Sequence, residues 1–479
     1  MDNALINADI APTTAAQRTW RWWHFLALWV GMVIAVPAYM LPAGFIAQGM
    51  SPAQAVVIVL AGNLVVLMPL LLIGHAGAKY GIPFPVLARA SFGTIGARLP
   101  ALARALVACG WYGVQTWIGG MTLLTLLGII VGRDLSGAQL PLLGIGWGQL
   151  AAYAAFWLAQ LVFVEKGIEA IRRFETWTAP LKIVVCIALV WWALDRSGGL
   201  GPIAAQESAF GPGGAKEGQF WATFWPLFTA MSGFWGGLAL NIPDFTRFAH
   251  TQRDQILGQA VGLPLPMALL ALMSVLVTSA TVLIYGKAIW DPVALAGDMG
   301  GIAVLIGLLI ITIDTISVNI AANLVGPSYD FAALWPQKIS YRVGGYITAG
   351  LSTLAMPWKL LADSSGYIFV WLTGYGALLG PIAGIMIADY WIVRRARLDV
   401  DALYDSNSSF RYKGGWNPVA LIAFAVPVAI NLPGFLHAAA PATFGGVSHI
   451  WQELYTYAWF IGIFSGLIVY AVLSVRSAR

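Results

Sequence analysis

The chain has 479 residues, of which 59% are hydrophobic and only 10% charged, and its mean hydropathy is +0.77. A water-soluble domain carries about a quarter charged residues, so a soluble globule is excluded, while 22 Trp, 22 Phe and 16 Tyr exclude a disordered chain. The net charge of +5 comes from basic residues scattered singly, which reports orientation in a membrane rather than a nucleic-acid partner.

What remains is an all-α polytopic membrane protein with room for about a dozen spans of about 20 residues each. A polar tail, 1–20, comes first and lacks the apolar core and cleavage site of a signal peptide. Apolar segments follow near 22–47, 53–73, 101–131, 147–164 and 179–194, then near 220–243, 259–285, 302–325, 343–357 and 366–390. Two more lie at 417–436 and 452–475. With the tail placed in the cytoplasm, Arg133, Arg196, Lys216, Lys287 and Lys359 fall in outer loops, and the other 21 of the 26 Lys and Arg residues fall on the inner side. One missed or invented span would invert every later loop, so this asymmetry predicts twelve spans with both termini cytoplasmic.

The first and sixth segments are interrupted. The first contains Val36-Pro37-Ala38 and Leu41-Pro42-Ala43-Gly44; the sixth reads Ser232-Gly233-Phe234-Trp235-Gly236-Gly237, with Asn241-Ile242-Pro243 beyond. Proline removes a helix donor and glycine weakens a helix. Freed backbone groups are tolerated in a bilayer only where protein or a water-lined cavity satisfies them. Breaks five helices apart point to two inverted five-helix repeats around a midplane site. The repeats are expected at 21–195 and 220–391, with a cytoplasmic loop and the last two helices at 392–479. The alternative is that Pro and Gly are simply common in membrane helices.

Within the third segment, Trp111 lies about 15 Å deep, too deep for an interfacial belt. Gln115 follows on the same face, one turn on. Trp235 sits in the sixth break, and Asn319 and Asn323 share a face of the eighth segment. Two indoles and several carboxamides suit a small, flat, polar heterocycle: rings stack, and amides both donate and accept. Equally, these residues could be packing groups and helix-to-helix ties. Asp314, halfway along the eighth segment with Ser317 on its face, is costly unless it meets a cavity, a cation or a proton. Asp244 and Asp389, near Arg247 and Arg394, read as surface ion pairs. Cys109 and Cys186 read as small buried hydrophobes, and Gly376, Gly380 and Gly384 as close helix packing. The Gly211-Pro212-Gly213-Gly214 stretch is a loop, and the five histidines show no ligand spacing. An enzyme is not expected.

Four stretches resemble the nucleobase–cation symporter-1 family, which includes bacterial hydantoin, allantoin and cytosine permeases. They are Gly110-Trp-Tyr-Gly-Val-Gln-Thr-Trp117, Asn241-Ile-Pro-Asp-Phe-Thr-Arg247, Asn319-Ile-Ala-Ala-Asn323 and Gly380-Pro-Ile-Ala-Gly-Ile-Met-Ile-Ala-Asp-Tyr390. The resemblance implies the five-plus-five inverted-repeat fold of the sodium-coupled leucine transporter with two further helices. It implies that Trp111 and Trp235 sandwich the heterocycle, that Gln115 and Asn323 bond its edge, and that Phe234 supplies backbone contacts. It also implies a cation site from carbonyls of Gly31 and Ile34 with Asp314, Ser317 and Val318. Three positions depart from the hydantoin-transporter pattern: Val318 replaces a hydroxyl residue, Asp314 a small one, and Ala35 a glutamine in the first break. The expected activity is cation-coupled import of a uracil-, allantoin- or hydantoin-class ring by alternating access, in the inner membrane of a bacterium. The alternatives are a proton-coupled purine or cytosine carrier, or a heterocycle channel or receptor. Na+ or H+ is the coupling ion; no cofactor, nucleic acid or obligate protein partner is implied.

Overall fold

The computed structural model describes residues 4–166, 183–299, 302–361 and 366–477. Twelve spans are laid out in the leucine-transporter-like five-plus-five order with two C-terminal helices. Seven stretches of the described residues are long and apolar enough to cross a membrane, and the bent first pair makes an eighth. The other four spans are Trp147–Lys166, the helix at 183–196, the interrupted sixth, and the short ninth at Tyr341–Leu354. The start of the fifth span, and Arg172, Arg173, Lys182 and Arg479 of the inner basic set, lie outside the described residues.

The first span is two helices, Trp22–Val33 and Val36–Ala47, bent by 59°. The break falls at Ile34 and Ala35, just before the predicted Val36-Pro37, with Ala35 fully extended (φ −145°, ψ 149°). Pro37 sits in the first turn of the second helix, where its missing N–H would have had no intrahelical partner. The sixth span, Phe220–Phe234 and Gly236–Thr246, is interrupted at one residue, Trp235 (φ −91°, ψ 2°). Two glycines follow it, and a Cβ on Gly236 would lie 2.8 Å from Trp459 Nε1 of the twelfth span.

Several spans outrun their apolar windows. The second runs Pro52–Tyr80, held at its start by a capping box between Ser51 and Gln54 and stopped at Gly81 in the left-handed region (φ 72°). The third covers Arg98–Val131. The seventh begins with a polar helix, Gln252–Gly262, before Pro264–Tyr285, and the eighth, Ile302–Asn323, continues through Val325–Leu334. Hydropathy reports only the part in contact with lipid, so it misses helix that projects beyond the bilayer.

The loops sort to two ends. At one end the N-terminal tail, the loop after the second span, and the stretch before the eleventh span interlock: Lys79 Nζ donates to Ala396 O (2.9 Å), Arg89 to Leu403 O (3.1 Å) and Tyr404 OH to Ile10 O (2.7 Å). At the other end Lys216 Nζ donates to Gln48 O (2.7 Å) and Trp358 Nε1 to Leu143 O (3.1 Å). The tenth span, 366–393, packs along the twelfth, Ala458–Ser477, through its glycines. A Cβ on Gly380 would lie 3.0 Å from Trp459 O, and one on Gly384 would collide with Ile463 O.

Candidate functional site

Two small cavities flank the first-span break, and Ala35 lines both. The first, about 50 Å³, is bounded by Ala35 and Ala38 from the first span, Trp111 and Gln115 from the third, Phe234 and Trp235 from the sixth, and Val318 and Asn323 from the eighth. Residues from four spans, up to 288 positions apart (35 to 323), therefore meet at one place. The aromatic wall is continuous: Trp111 stands edge-on to Phe234 at 5.4 Å, and Phe234 to Trp235 at 4.9 Å. Trp371 and Tyr375 of the tenth span back Trp111 at 5.8 and 6.0 Å, an element that sequence reasoning missed. Edge-to-face packing of this kind fixes ring orientation.

Polar atoms on this wall differ in what they have left to offer. Gln115 Oε1 and Trp235 Nε1 are buried and make no hydrogen bond among the described residues. The carbonyl of Phe234, expected to contact a ligand, already accepts the Tyr375 hydroxyl at 2.8 Å. That bond ties the tenth span to the sixth break. Asn319 does not line the cavity. Its Nδ2 donates to Tyr112 O (3.0 Å), Thr116 Oγ1 (3.2 Å) and Gln160 Oε1 (2.7 Å), joining the eighth span to the third and fourth. Asn323 Nδ2 then donates to Asn319 Oδ1 (3.0 Å). The two amides share a face as their spacing required, but the inner one orients the outer one.

The second cavity, about 60 Å³, is lined by Ile34, Ala35, Val36 and Tyr39, by Cys186 and Leu189, and by Ile310, Ile311 and Asp314. Asp314 is the carboxylate on an otherwise apolar wall. Ser317, one turn on, is fully buried and its Oγ has no hydrogen-bond partner among the described residues. Gly31 is buried in the turn before the break. Of the expected cation ligands, Ile34 and Asp314 line this cavity while Gly31 and Ser317 do not; a carboxylate and a backbone carbonyl at a helix break are hard oxygen donors suited to a small cation. Val318, on the neighbouring face, contributes no oxygen and lines the first cavity instead. Just before the short helix Pro292–Met299, whose Pro292 also borders the cavity, burial raises the Asp291 carboxyl above the usual range. The amides of Val293 (2.9 Å) and Ala294 oppose that rise.

Asp244 and Asp389 are not surface pairs. Asp244 is 2% exposed and accepts from Phe84 N (2.8 Å) and Asn241 Nδ2 (2.7 Å). Arg247 turns away to the carbonyl of Asp9, 3.2 Å from each terminal nitrogen. Asp389 does bond Arg394 Nε at 2.8 Å, but it is 1% exposed and also accepts the Tyr470 hydroxyl (2.8 Å). Helix ends here lie under loops, which depth along a helix does not reveal. Arg104 is a further departure: counted above only as an inner basic residue, it lines the first cavity. Its position seven before Trp111, two turns along one face, is the signal that could have found it. No group of three or more His, Cys, Asp or Glu able to hold a metal occurs among the described residues.

Residues 12–462 match the profile of a family described as permeases for cytosine/purines, uracil, thiamine and allantoin. The chain is 39% identical to a purine-uracil permease of Arabidopsis thaliana over 481 residues, covering 100% of this chain and 79% of the relative. It is 40% identical to an allantoin permease of Bacillus subtilis over 476 residues, covering 98% and 93%. Among solved structures it is similar to Mhp1, a nucleobase-cation-symport-1 family transporter, in a closed conformation with bromovinylhydantoin bound. That TM-score is 0.77 at 24% identity, over 99% of this chain and 96% of the other. The inward-facing form of Mhp1 gives a TM-score of 0.79 at 23% identity, over 99% and 94%. At these identities the likeness to Mhp1 speaks for the fold.

Proposed function

The chain belongs to the family of permeases for cytosine/purines, uracil, thiamine and allantoin, and from that premise we propose that it is a secondary active symporter importing a uracil-, allantoin- or hydantoin-class heterocycle. The observation that carries the proposal is the convergence of Trp111, Gln115, Trp235 and Asn323 on one cavity at the first-span break. A ring held between the two indoles gains about 1–3 kcal/mol per stacking contact. The unpartnered Gln115 Oε1 would take a ring N–H, and Asn323, held by Asn319, would meet the ring's edge with the groups that bond leaves. Ala35, in place of a longer side chain, leaves room on the first-span side.

In this reading the second cavity holds the co-transported cation, with Asp314 and Ser317 beside the backbone of Gly31 and Ile34. The cation and the ring then share one flexible element, the Ile34–Ala35 break. A rearrangement there is felt by both ligands, which is what coupled transport requires. The protein sits in the inner membrane of a bacterium with both termini in the cytoplasm, as the basic residues direct. The repeats at 21–195 and 220–391 rock against each other, and 392–479 is accessory.

A second reading for the ion follows from two residues. Val318 removes a hydroxyl ligand and Asp314 supplies an ionisable carboxylate, which favours protons over sodium. Radiolabelled uptake in a host lacking such permeases tests the whole proposal. Accumulation of uracil, allantoin or hydantoin above the external concentration, lost with a protonophore or on sodium removal, is the expected outcome. Mere equilibration would indicate a channel, and no uptake of any heterocycle would refute the assignment.

A further inference from the structure

We infer that Arg104 is a specificity-determining residue: it donates a hydrogen bond to a carbonyl oxygen of the transported ring and so favours oxo-substituted rings over amino-substituted ones. The inference rests on the reading of the first cavity as the substrate site. Arg104 lies on the same stripe of the third span as Val107, Trp111 and Gln115, and all four line that cavity. It is 3% exposed. One arm is fixed, because Nε donates to Gly237 O of the sixth span at 2.8 Å. The Nη1 group is buried and makes no hydrogen bond among the described residues.

A guanidinium has only N–H donors, no acceptor, and keeps its charge. It therefore cannot reverse its polarity to suit a different ring, as an amide can by flipping. Arg104 Nη1 and Gln115 Oε1 together offer a donor and an acceptor, both unpartnered. The complementary edge is a carbonyl beside a ring N–H, which an imide presents on both sides of its nitrogen. Placing an exocyclic amine where Arg104 expects a carbonyl sets N–H against N–H and leaves buried donors unpaired on both sides.

The charges around Arg104 favour a neutral ring over an anion. Asp330 of the eighth span and Asp244 of the sixth are its charged neighbours, linked by Asn241 Nδ2 at 3.4 and 2.7 Å. Neither carboxyl lines the cavity, so acidic groups stand behind Arg104 and it presents a hydrogen-bond donor to the ligand rather than an unbalanced cation.

The test is uptake of uracil and cytosine by the full-length protein, unaltered and as R104Q and R104K, normalised to surface expression. In R104Q, whose amide can either donate or accept, the uracil-to-cytosine ratio of kcat/KM should fall at least tenfold. R104K, still a donor only, should weaken both substrates and keep the ratio. If R104Q lowers both substrates equally, Arg104 merely positions the sixth span through Gly237, and the inference is overturned. A variant-free arm guards against misfolding. With the unaltered protein, ring analogues carrying an amine in place of one carbonyl should compete for uptake at least tenfold worse, and equal competition would also overturn it. No uptake of any heterocycle by the unaltered chain is a different failure, since it removes the underlying reading and this inference with it.

Discussion

The two cavities at the first-span break are about the same size, yet they are built from opposite materials. One is walled by indoles and carries an amide acceptor, an indole donor and a guanidinium with bonding capacity left over; the other is aliphatic apart from Tyr39, Asp314 and their surroundings. Rings are recognised by faces and edges, ions by charge and oxygen. The division of chemistry across one residue, Ala35, suits a machine in which a ring and a cation must report to the same hinge. The eighth span serves both sides, with Asn323 on one and Asp314 on the other, while Asn319 behind them holds the span to its neighbours.

That division can be broken one side at a time. Trp111→Ala removes one stacking face and should lower uptake about 10- to 100-fold with surface expression unchanged, measured as initial rates at low substrate; the loss of one stacking contact of about 1–3 kcal/mol sets this scale. Gln115→Ala should act in the same direction. Normal transport by both would move the ring site elsewhere. Asp314→Asn leaves the ring cavity untouched, so substrate exchange should persist while concentrative uptake disappears, and retention of accumulation would contradict the role of the second cavity.

The pair of asparagines sharpens the comparison. Asn323→Ala should raise KM about tenfold and, by leaving the buried Asn319 Oδ1 without its donor, lower stability by about 1 kcal/mol. Asn319→Ala should act chiefly on stability, lowering it by about 1–3 kcal/mol, because Gln160 Oε1 and its neighbours lose a buried donor. The same effect from both would mean that the second amide is not specialised for a ligand. The smallest change is Val318→Thr, near-isosteric, which adds an oxygen on the eighth span at the wall of the first cavity. It should increase sodium stimulation of uptake about threefold, read from sodium titrations at fixed pH.

Much of this was legible in the chain. Hydropathy and the Lys/Arg asymmetry gave the twelve spans, and proline and glycine located both breaks to within a few residues. Spacing put Trp111 with Gln115 and Asn319 with Asn323. Spacing assigns a face but not the neighbour that face meets. It could not tell that Asn319 looks toward Gln160 of the fourth span, or that the Phe234 carbonyl is taken by Tyr375. Arg104 was hidden for a related reason: a basic residue near a span's inner end satisfies the orientation rule, so its second role, on the Trp111 stripe, produced no conflict. Asp244 and Asp389 looked exposed because helix ends usually are, whereas loops from distant parts of the chain cover these two.

The most direct test of linkage between the cavities is substrate-induced thermal stabilisation of the detergent-purified protein, scanned over sodium at fixed pH and over pH at fixed sodium. Ligands that bind the folded state raise its apparent stability by mass action. The expected result is a shift with uracil or allantoin whose size depends on sodium or on pH, and which loses that dependence in Asp314→Asn. A shift indifferent to both ions, or the same dependence in Asp314→Asn as in the unaltered protein, would contradict it.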